Sequence, residues 1–387
     1  MNAPAAPYDF DTVIDRRNTG STKWSAYPAD VHPMWVADMD FTAPPEVVAA
    51  LARRVEHGVF GYAVPTTELR DTIVADMKAR YDWVIQPEDL VFLPGVVPGF
   101  NMALKALLMA GDGVVVNPPV YPPILAAAAH WDMRRLDVPF ARTGETWAFD
   151  KNTFETAIAD ARAYILCNPH NPVGKVFSRA ELEEIAATCL KHNVTILSDE
   201  IHCDLVFDGR KHVPIASLSP EIAEHTVTLM AASKTYNVAG LKCAFAIIPD
   251  KRIRAKLESA RLGMVDSINP LGLEATLSSI RDGGPWLKAL IGYLQANRDH
   301  LVAEVKRRLP GVTMTVPEGT YLAWLDCSAL KLDEEAQRYF LREAKVAFNA
   351  GSSFGEGWGD HVRLNFGCPR SELDKGLDRL EAALKAR

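Results

Sequence analysis

From Leu90 to Ile248 the chain alternates short apolar runs with helical stretches, and this alternation restricts its fold more than any other feature. The runs are Leu90 to Leu93, Val114 to Val116, Ala163 to Cys167, Val194 to Ser198, Val227 to Met230 and Cys243 to Ile248. Runs this short, bounded by Gly, Pro, Asn and Asp, read as buried strands. The clearest helix between them opens at Ser178-Arg-Ala-Glu181, a capping box, and continues as an amphipathic stretch to about His192. Strands alternating with helices predict an α/β fold with a doubly wound, mostly parallel sheet, in which ligands bind beyond the carboxyl ends of the strands. Polar clusters stand at those ends: Pro94-Gly95, Asn117-Pro118, Asn168-Pro169, Asp199 and Ser233-Lys234 each follow a run.

The flanks differ. Residues up to about Phe41 are rich in Pro, Asp and Trp without a long helical period, which predicts an irregular arm that needs a surface to lie on. Pro44-Pro45-Glu46 then opens a helix through His57, with Val47, Val48, Leu51 and Val55 on one side and Gly58 placed to stop it. A second helix spans about Thr67 to Tyr81. After Gly283-Gly284-Pro285 a long helix runs from about Trp286 to Leu309, with Leu287, Leu290, Ile291, Leu294, Leu301, Val305 and Leu309 on one face. Strand-like runs follow at Leu322 to Leu325, Val346 to Phe348 and Val362 to Phe366, and a last helix from Ser371 buries Leu373, Leu377, Leu380 and Leu384. At roughly 100 to 200 residues per domain, 387 residues divide into an arm that is part of the small domain (1–45), a large domain (46–285) and a smaller α+β C-terminal domain (286–387).

A formal charge of −7 opposes binding to nucleic acid or an anionic membrane and favours small-molecule work. No run approaches the ~18 apolar residues of a membrane span, and the N-terminus lacks a basic flank and an apolar signal core, so a cytoplasmic location is expected. The six cysteines show no Cys-x-x-Cys pair and no metal spacing, and read as reduced thiols. Cys203 and Cys368 adjoin motif residues, where a packed small side chain and a role near the site are both open.

Lys234 lies in Met230-Ala-Ala-Ser-Lys-Thr-Tyr-Asn-Val-Ala-Gly-Leu-Lys242, among small and hydroxyl residues, after a strand and before the Asn237 to Gly240 turn. With so little surface available, its amine is placed for covalent chemistry; the alternative is a buried, paired lysine. Together with Asn168-Pro-His-Asn-Pro-Val-Gly174 and Ile196-Leu-Ser-Asp-Glu-Ile-His202, the stretch resembles the pyridoxal-phosphate enzymes of the aspartate aminotransferase superfamily, fold type I. Arg17-Asn-Thr-Gly-Ser-Thr-Lys-Trp24, Met34-Trp-Val-Ala-Asp-Met-Asp-Phe41, Pro94-Gly-Val-Val-Pro-Gly99 and Arg363-Leu-Asn-Phe-Gly-Cys-Pro369 resemble its cystathionine β-lyase branch, the MalY/PatB type. The likeness runs from about Tyr8 to the C-terminal helix.

The resemblance implies roles. Lys234 would bind pyridoxal 5'-phosphate covalently and later shuttle the substrate Cα proton. Asp199 would pair with the pyridine nitrogen and keep it protonated. Asn171 would bond the ring hydroxyl and help hold substrate, whereas Asn168 reads as a turn residue. His202 stands where many aminotransferases carry a tyrosine; a direct contact and a hydrogen-bonded place beneath the ring are both open. Tyr121 would stack on the ring, with a core tyrosine in a Pro-flanked loop as the alternative. Val96 and Val97 would offer backbone amides to the phosphate, with Ser233 and Lys242 as further contacts, although aminotransferases usually carry arginine in place of Lys242. Arg363 would grip the substrate carboxylate, and Tyr62 would reach the phosphate of a neighbouring subunit, making a homodimer with composite sites. Trp35, Asp38 and Phe41 would line the pocket or belong to a packed arm. The implied activity is carbon–sulfur β-elimination from cystathionine or related cysteine S-conjugates, with Lys234 or Tyr121 as the acid for the leaving thiolate. An aminotransferase is the alternative, because Lys234, Asp199, Asn171 and Arg363 serve both reactions; a cofactor-binding regulatory protein comes third. No metal is expected.

Overall fold

The computed structural model describes residues 8–265 and 267–387, so the first seven residues of the expected arm lie outside the described residues. Seven strands, β1 Leu90–Leu93, β2 Gly113–Val116, β3 Arg134–Asp137, β4 Ala163–Cys167, β5 Thr195–Asp199, β6 Thr226–Met230 and β7 Ala244–Ile247, make the central sheet. Their order is β1-β7-β6-β5-β4-β2-β3. Only β7 runs against its neighbours, so the carboxyl ends of the other six lie along one edge. Strands β1, β2, β4, β6 and β7 are buried throughout, which is why they read as apolar runs, broken in β6 only by Thr226 and Thr228. Strand β3, Arg-Arg-Leu-Asp, was not foreseen: it sits at the sheet edge, mostly exposed, where charged side chains are tolerated and an apolar run is not required.

The helices follow their local signals. Thr66 caps the helix Thr67–Tyr81 by accepting from the Leu69 amide at 3.1 Å. Both halves of the capping box form at Arg179–Lys191: the Ser178 amide donates to Glu181 at 2.8 Å and the Glu181 amide to the Ser178 hydroxyl at 3.3 Å. Helix Pro45–His57 ends at Gly58, whose φ of 75° is the left-handed geometry that glycine adopts without cost. Its buried side is Val47 and Ala50, set against helix Pro270–Asp282, while Val48 and Val55 are 51% and 53% exposed. The expected apolar stripe is therefore split, half of it on a face that this chain does not cover.

The arm is more regular than expected. It contains a short helix, Thr22–Ser25, and a strand, His32–Pro33, that pairs in parallel with Val346–Ala347. Nearby, a four-stranded antiparallel sheet joins Thr313–Met314, Leu322–Asp326, His361–Asn365 and Asn349–Ala350. The long helix Gly284–Arg308 and the last helix Arg370–Lys385 bury Leu290, Leu294, Leu373 and Leu377 in one cluster with Phe10, Met39 and Phe41 of the arm. Leu287, Ile291 and Leu384 are half-buried at its margin. No helix among the described residues is long and apolar enough to cross a membrane.

Candidate active site

The common strand edge gathers the polar clusters around one cavity. Asp199 ends β5, Asn171 follows β4, Tyr121 follows β2, and Val96 and Val97 follow β1; all line it together with Lys234, His202, Cys167 and Ile201. A larger cavity between Phe140, Phe149, Phe154 and Phe177 contains none of these groups.

Lys234 lies in a four-residue helix, Ala232–Thr235, two residues past β6. Its Nζ donates to the Ala37 carbonyl at 2.6 Å. Burial first, and then the Arg363 guanidinium, lower its pKa to about 8, against the pull of Asp38 and Asp199. The neutral amine is thus available close to neutral pH, as a nucleophile requires. Across the cavity burial raises the Asp199 carboxyl to about 7, opposed by the Ile201 amide and by Lys234. A cation set against Asp199 would ionise it fully.

His202 is buried, and its Nδ1 has no hydrogen-bond partner among the described residues. Burial, then Lys234 and Arg363, push its pKa well below the ordinary value, so the ring is neutral. Asn168 takes a structural role: its side-chain oxygen accepts from the Phe177 amide at 3.2 Å.

Arg363 is held from three sides. Its Nη1 donates to Asn171 at 3.0 Å, and its Nη2 to the Trp35 carbonyl at 3.1 Å and to Asn349 at 2.7 Å. The guanidinium carbon lies 5.0 Å from the Phe354 ring centroid, and the buried Nε has no partner among the described residues. Burial lowers its pKa to about 10, against Tyr121 and Tyr321, so it remains a cation at neutral pH. Val96 and Val97 open helix Val96–Leu107, where the first amides have no carbonyl one turn back and face a positive helix end suited to an anion.

Four expected contacts do not line the cavity: Arg363 stands behind Asn171, Ser233 is half-buried beside Lys234, Lys242 is exposed, and Tyr62 is 92% exposed. Tyr62 belongs to an exposed apolar loop with Val59, Phe60 and Val64. Phe41 is a core residue, its ring edge-on to Phe10 and Tyr293. Trp35 reaches the site through its backbone carbonyl, its indole donating to the Lys23 carbonyl at 3.1 Å. All six cysteines are buried and unpaired.

The N-terminal motifs prove to be partners. Asp40 accepts from Lys23 at 2.6 Å, Arg16 at 2.6 Å and Trp24 at 2.8 Å, and Arg16 also bridges to Asp38 at 2.5 Å. Asn365 donates to the Val36 and Asp38 carbonyls at 2.6 and 2.7 Å, and Asn237 to those of Met39 and Phe41 at 2.9 and 2.7 Å. Segment 35–41 is thereby pinned over the site. Beside Cys167 and Ile201 on the cavity wall, two further neighbours were missed from the sequence, Asn349 on Arg363 and Tyr321, whose hydroxyl donates to the Ala37 carbonyl at 2.9 Å. Neither carries a local signal, because each meets its partner only through the tertiary fold.

A profile of the family described as aminotransferase class I and II matches residues 33–380. The cystathionine β-lyase PatB of Bacillus subtilis is 40% identical over 385 residues, covering 97% of this chain and all of PatB. Cystalysin from Treponema denticola, a structure that contains pyridoxal 5'-phosphate, matches with a TM-score of 0.95 at 32% identity, over 98% of this chain and 99% of its own. The pyridoxal-phosphate-bound C–S lyase of Staphylococcus hominis matches with a TM-score of 0.92 at 31% identity, over the same shares.

Proposed function

The chain belongs to the aminotransferase class I and II family, alongside PatB and the C–S lyases, and from that premise we propose how its residues carry out a carbon–sulfur β-elimination. It is a pyridoxal-phosphate-dependent carbon–sulfur lyase, and its substrates are L-cystathionine or related L-cysteine S-conjugates. When bound, the cofactor supplies an electron sink that makes the substrate Cα proton acidic. The residues fit it. Lys234 has an amine of lowered pKa for the aldehyde, Asp199 a carboxylate for the cationic ring nitrogen, Val96 and Val97 have amides for the phosphate, and His202 has a neutral ring on the wall of the same cavity.

In this reading Arg363 grips the substrate α-carboxylate, with Asn171 and Asn349 fixing the plane of the guanidinium. Tyr121, which lines the cavity, covers the ring face. Lys234, once released, takes the Cα proton. The electron pair left at Cα then forms the Cα=Cβ bond as the Cβ–S bond breaks with both of its electrons leaving on sulfur. A thiolate leaves readily because its conjugate thiol has a pKa near 8.5, and it collects its proton from Lys234 or Tyr121. When cystathionine is the substrate the products are homocysteine and an aminoacrylate, which water hydrolyses to pyruvate and ammonia. Tyr62 serves the partner's site in a homodimer; the exposed apolar residues Val59, Phe60, Tyr62 and Val64, with Val48 and Val55 elsewhere on the surface, support this reading. The enzyme works in the cytoplasm.

The cavity that holds Lys234 with Asp199 and the open amides of Val96 and Val97 supports the cofactor, and the 40% identity to the cystathionine β-lyase PatB is the observation that carries the lyase reading. The test is to supply cystathionine without any keto acid and to measure pyruvate. Rapid turnover of an amino acid with 2-oxoglutarate, and no pyruvate from cysteine S-conjugates, would put the aminotransferase reading in its place.

A further inference from the structure

One carbonyl oxygen, that of Ala37, receives two donors from remote parts of the chain: Nζ of Lys234 at 2.6 Å and the hydroxyl of Tyr321 at 2.9 Å. A carbonyl has two lone pairs, so the two donors fill it. Tyr321 has no freedom to leave. It is fully buried, its ring stands edge-on to His202 with centroids 5.8 Å apart, and it begins the turn into strand Leu322–Asp326.

The two donors have different fates. An ammonium carries three N–H donors, but an amine bound to an aldehyde carbon retains at most one. Lys234 must therefore give up the Ala37 carbonyl, or bond it far more weakly, whenever it holds the cofactor. Without a second donor the carbonyl would then be left unpaired, and stranding a buried polar group costs more than a made bond gains.

Resting on the cofactor reading above, we propose that Tyr321 is a positioning residue for Lys234, keeping the Ala37 carbonyl hydrogen-bonded whether the lysine is present or absent. The amine then moves between carbonyl and cofactor without stranding an acceptor. The carbonyl also gives the released lysine a defined resting place beside the substrate, from which it takes and returns its proton. The other charged groups facing Lys234, namely Arg363, Asp38, Asp199 and Lys242, act on its charge and leave this inventory of donors unchanged.

The test is a double-mutant cycle on cofactor affinity, read by equilibrium dialysis and by the visible absorption of the bound cofactor. In the native background, Tyr321→Phe removes the only donor that remains on Ala37 in the loaded protein, while the cofactor-free protein still has Lys234. The dissociation constant should rise by about tenfold. In a Lys234→Ala background the carbonyl has the same partner in both states, so the same change should alter affinity by less than about twofold. Equal losses in both backgrounds would show general damage, for example to His202, and overturn the proposal; so would an unchanged constant in the native background. A Tyr321→Phe chain that does not fold leaves a second measurement in the unmodified protein. With alanine carbonyls labelled with ¹³C, the Ala37 signal should stay in the hydrogen-bonded range when the cofactor binds, and a shift to the unbonded range overturns the proposal. Failure of the unmodified chain to bind pyridoxal phosphate at all would instead refute the cofactor reading, and the proposal with it.

Discussion

Removing either side of the Lys23–Asp40 pair should cost unequal amounts, and the structure says by how much. Lys23 is 1% exposed and Asp40 4%, with Nζ and Oδ2 at 2.6 Å. Asp40 has two further donors, Arg16 at 2.6 Å and the Trp24 indole at 2.8 Å. Among the described residues Lys23 has, besides Asp40, only the Asp38 carbonyl, at 3.4 Å. Lys23→Met keeps the length and apolar stem of the side chain and leaves Asp40 paired, so it loses one charge-assisted hydrogen bond, about 2 kcal/mol. Asp40→Ala strands a buried ammonium, which costs about 4 kcal/mol. Arg16 is not stranded, because Asp38 still holds it at 2.5 Å. The expected gap of about 2 kcal/mol corresponds to a factor of about 30 in the unfolding equilibrium.

Urea denaturation of the two variants and the unmodified chain, compared at equal slope, measures the gap. Should Lys23→Met cost as much as Asp40→Ala, the premise that Asp40 has independent partners is wrong. The pH dependence provides a second check. Burial alone would raise the Asp40 carboxyl, but Lys23, Trp24 and Arg16 together hold it below its ordinary value. A depressed carboxyl contributes stability that is fully present above its unfolded pKa of about 3.9 and is lost as pH falls through the lower folded value. The advantage of the unmodified chain over Lys23→Met should therefore be flat near neutrality and shrink below about pH 4.

Other outcomes follow from the site. Arg363→Ala should lower kcat/KM for amino-acid substrates by about 2 to 5 kcal/mol, chiefly through KM; an unchanged kcat/KM would remove Arg363 from carboxylate binding. In the cofactor-stripped chain, acylation of Lys234 should be half-maximal near pH 8, since burial and Arg363 favour the neutral amine. A midpoint above 10, the range of an ordinary lysine, would contradict that environment. Mixing inactive Tyr62→Ala and Lys234→Ala subunits should restore activity if the two residues serve one site from different chains; no recovery after verified exchange would count against the composite dimer.

Much of the fold was legible because strands buried on both faces must be apolar from end to end, and a polar motif then marks where each stops. Asp199 as the last residue of β5 and Asn168 as the first after β4 show how closely chemistry follows the sheet edge. The same logic hid β3, whose Arg134 and Arg135 face solvent and give no apolar signal. It also misjudged helix Pro45–His57, since periodicity reveals an apolar side without revealing what covers it. Val48 and Val55 satisfy the period and still face outward.

The site was legible in its side chains and illegible in its backbone. Lys234, Asp199, Asn171 and Arg363 announce themselves by residue type, whereas the acceptors that organise them are carbonyls, which every residue carries alike. Trp35, Val36, Ala37, Asp38, Met39 and Phe41 each offer a carbonyl, and these are claimed by Arg363, Asn365, Lys234 with Tyr321, Asn365 again, and Asn237. A segment crossing a cavity cannot satisfy its own backbone as a helix or sheet does, so donors must come from elsewhere. This requirement explains why motifs hundreds of residues apart accompany one another. Asn237 just past Lys234, Asn365 just past Arg363, and the Lys23–Asp40 clamp hold one stretch of chain, and that stretch in turn sets where the lysine and the arginine rest.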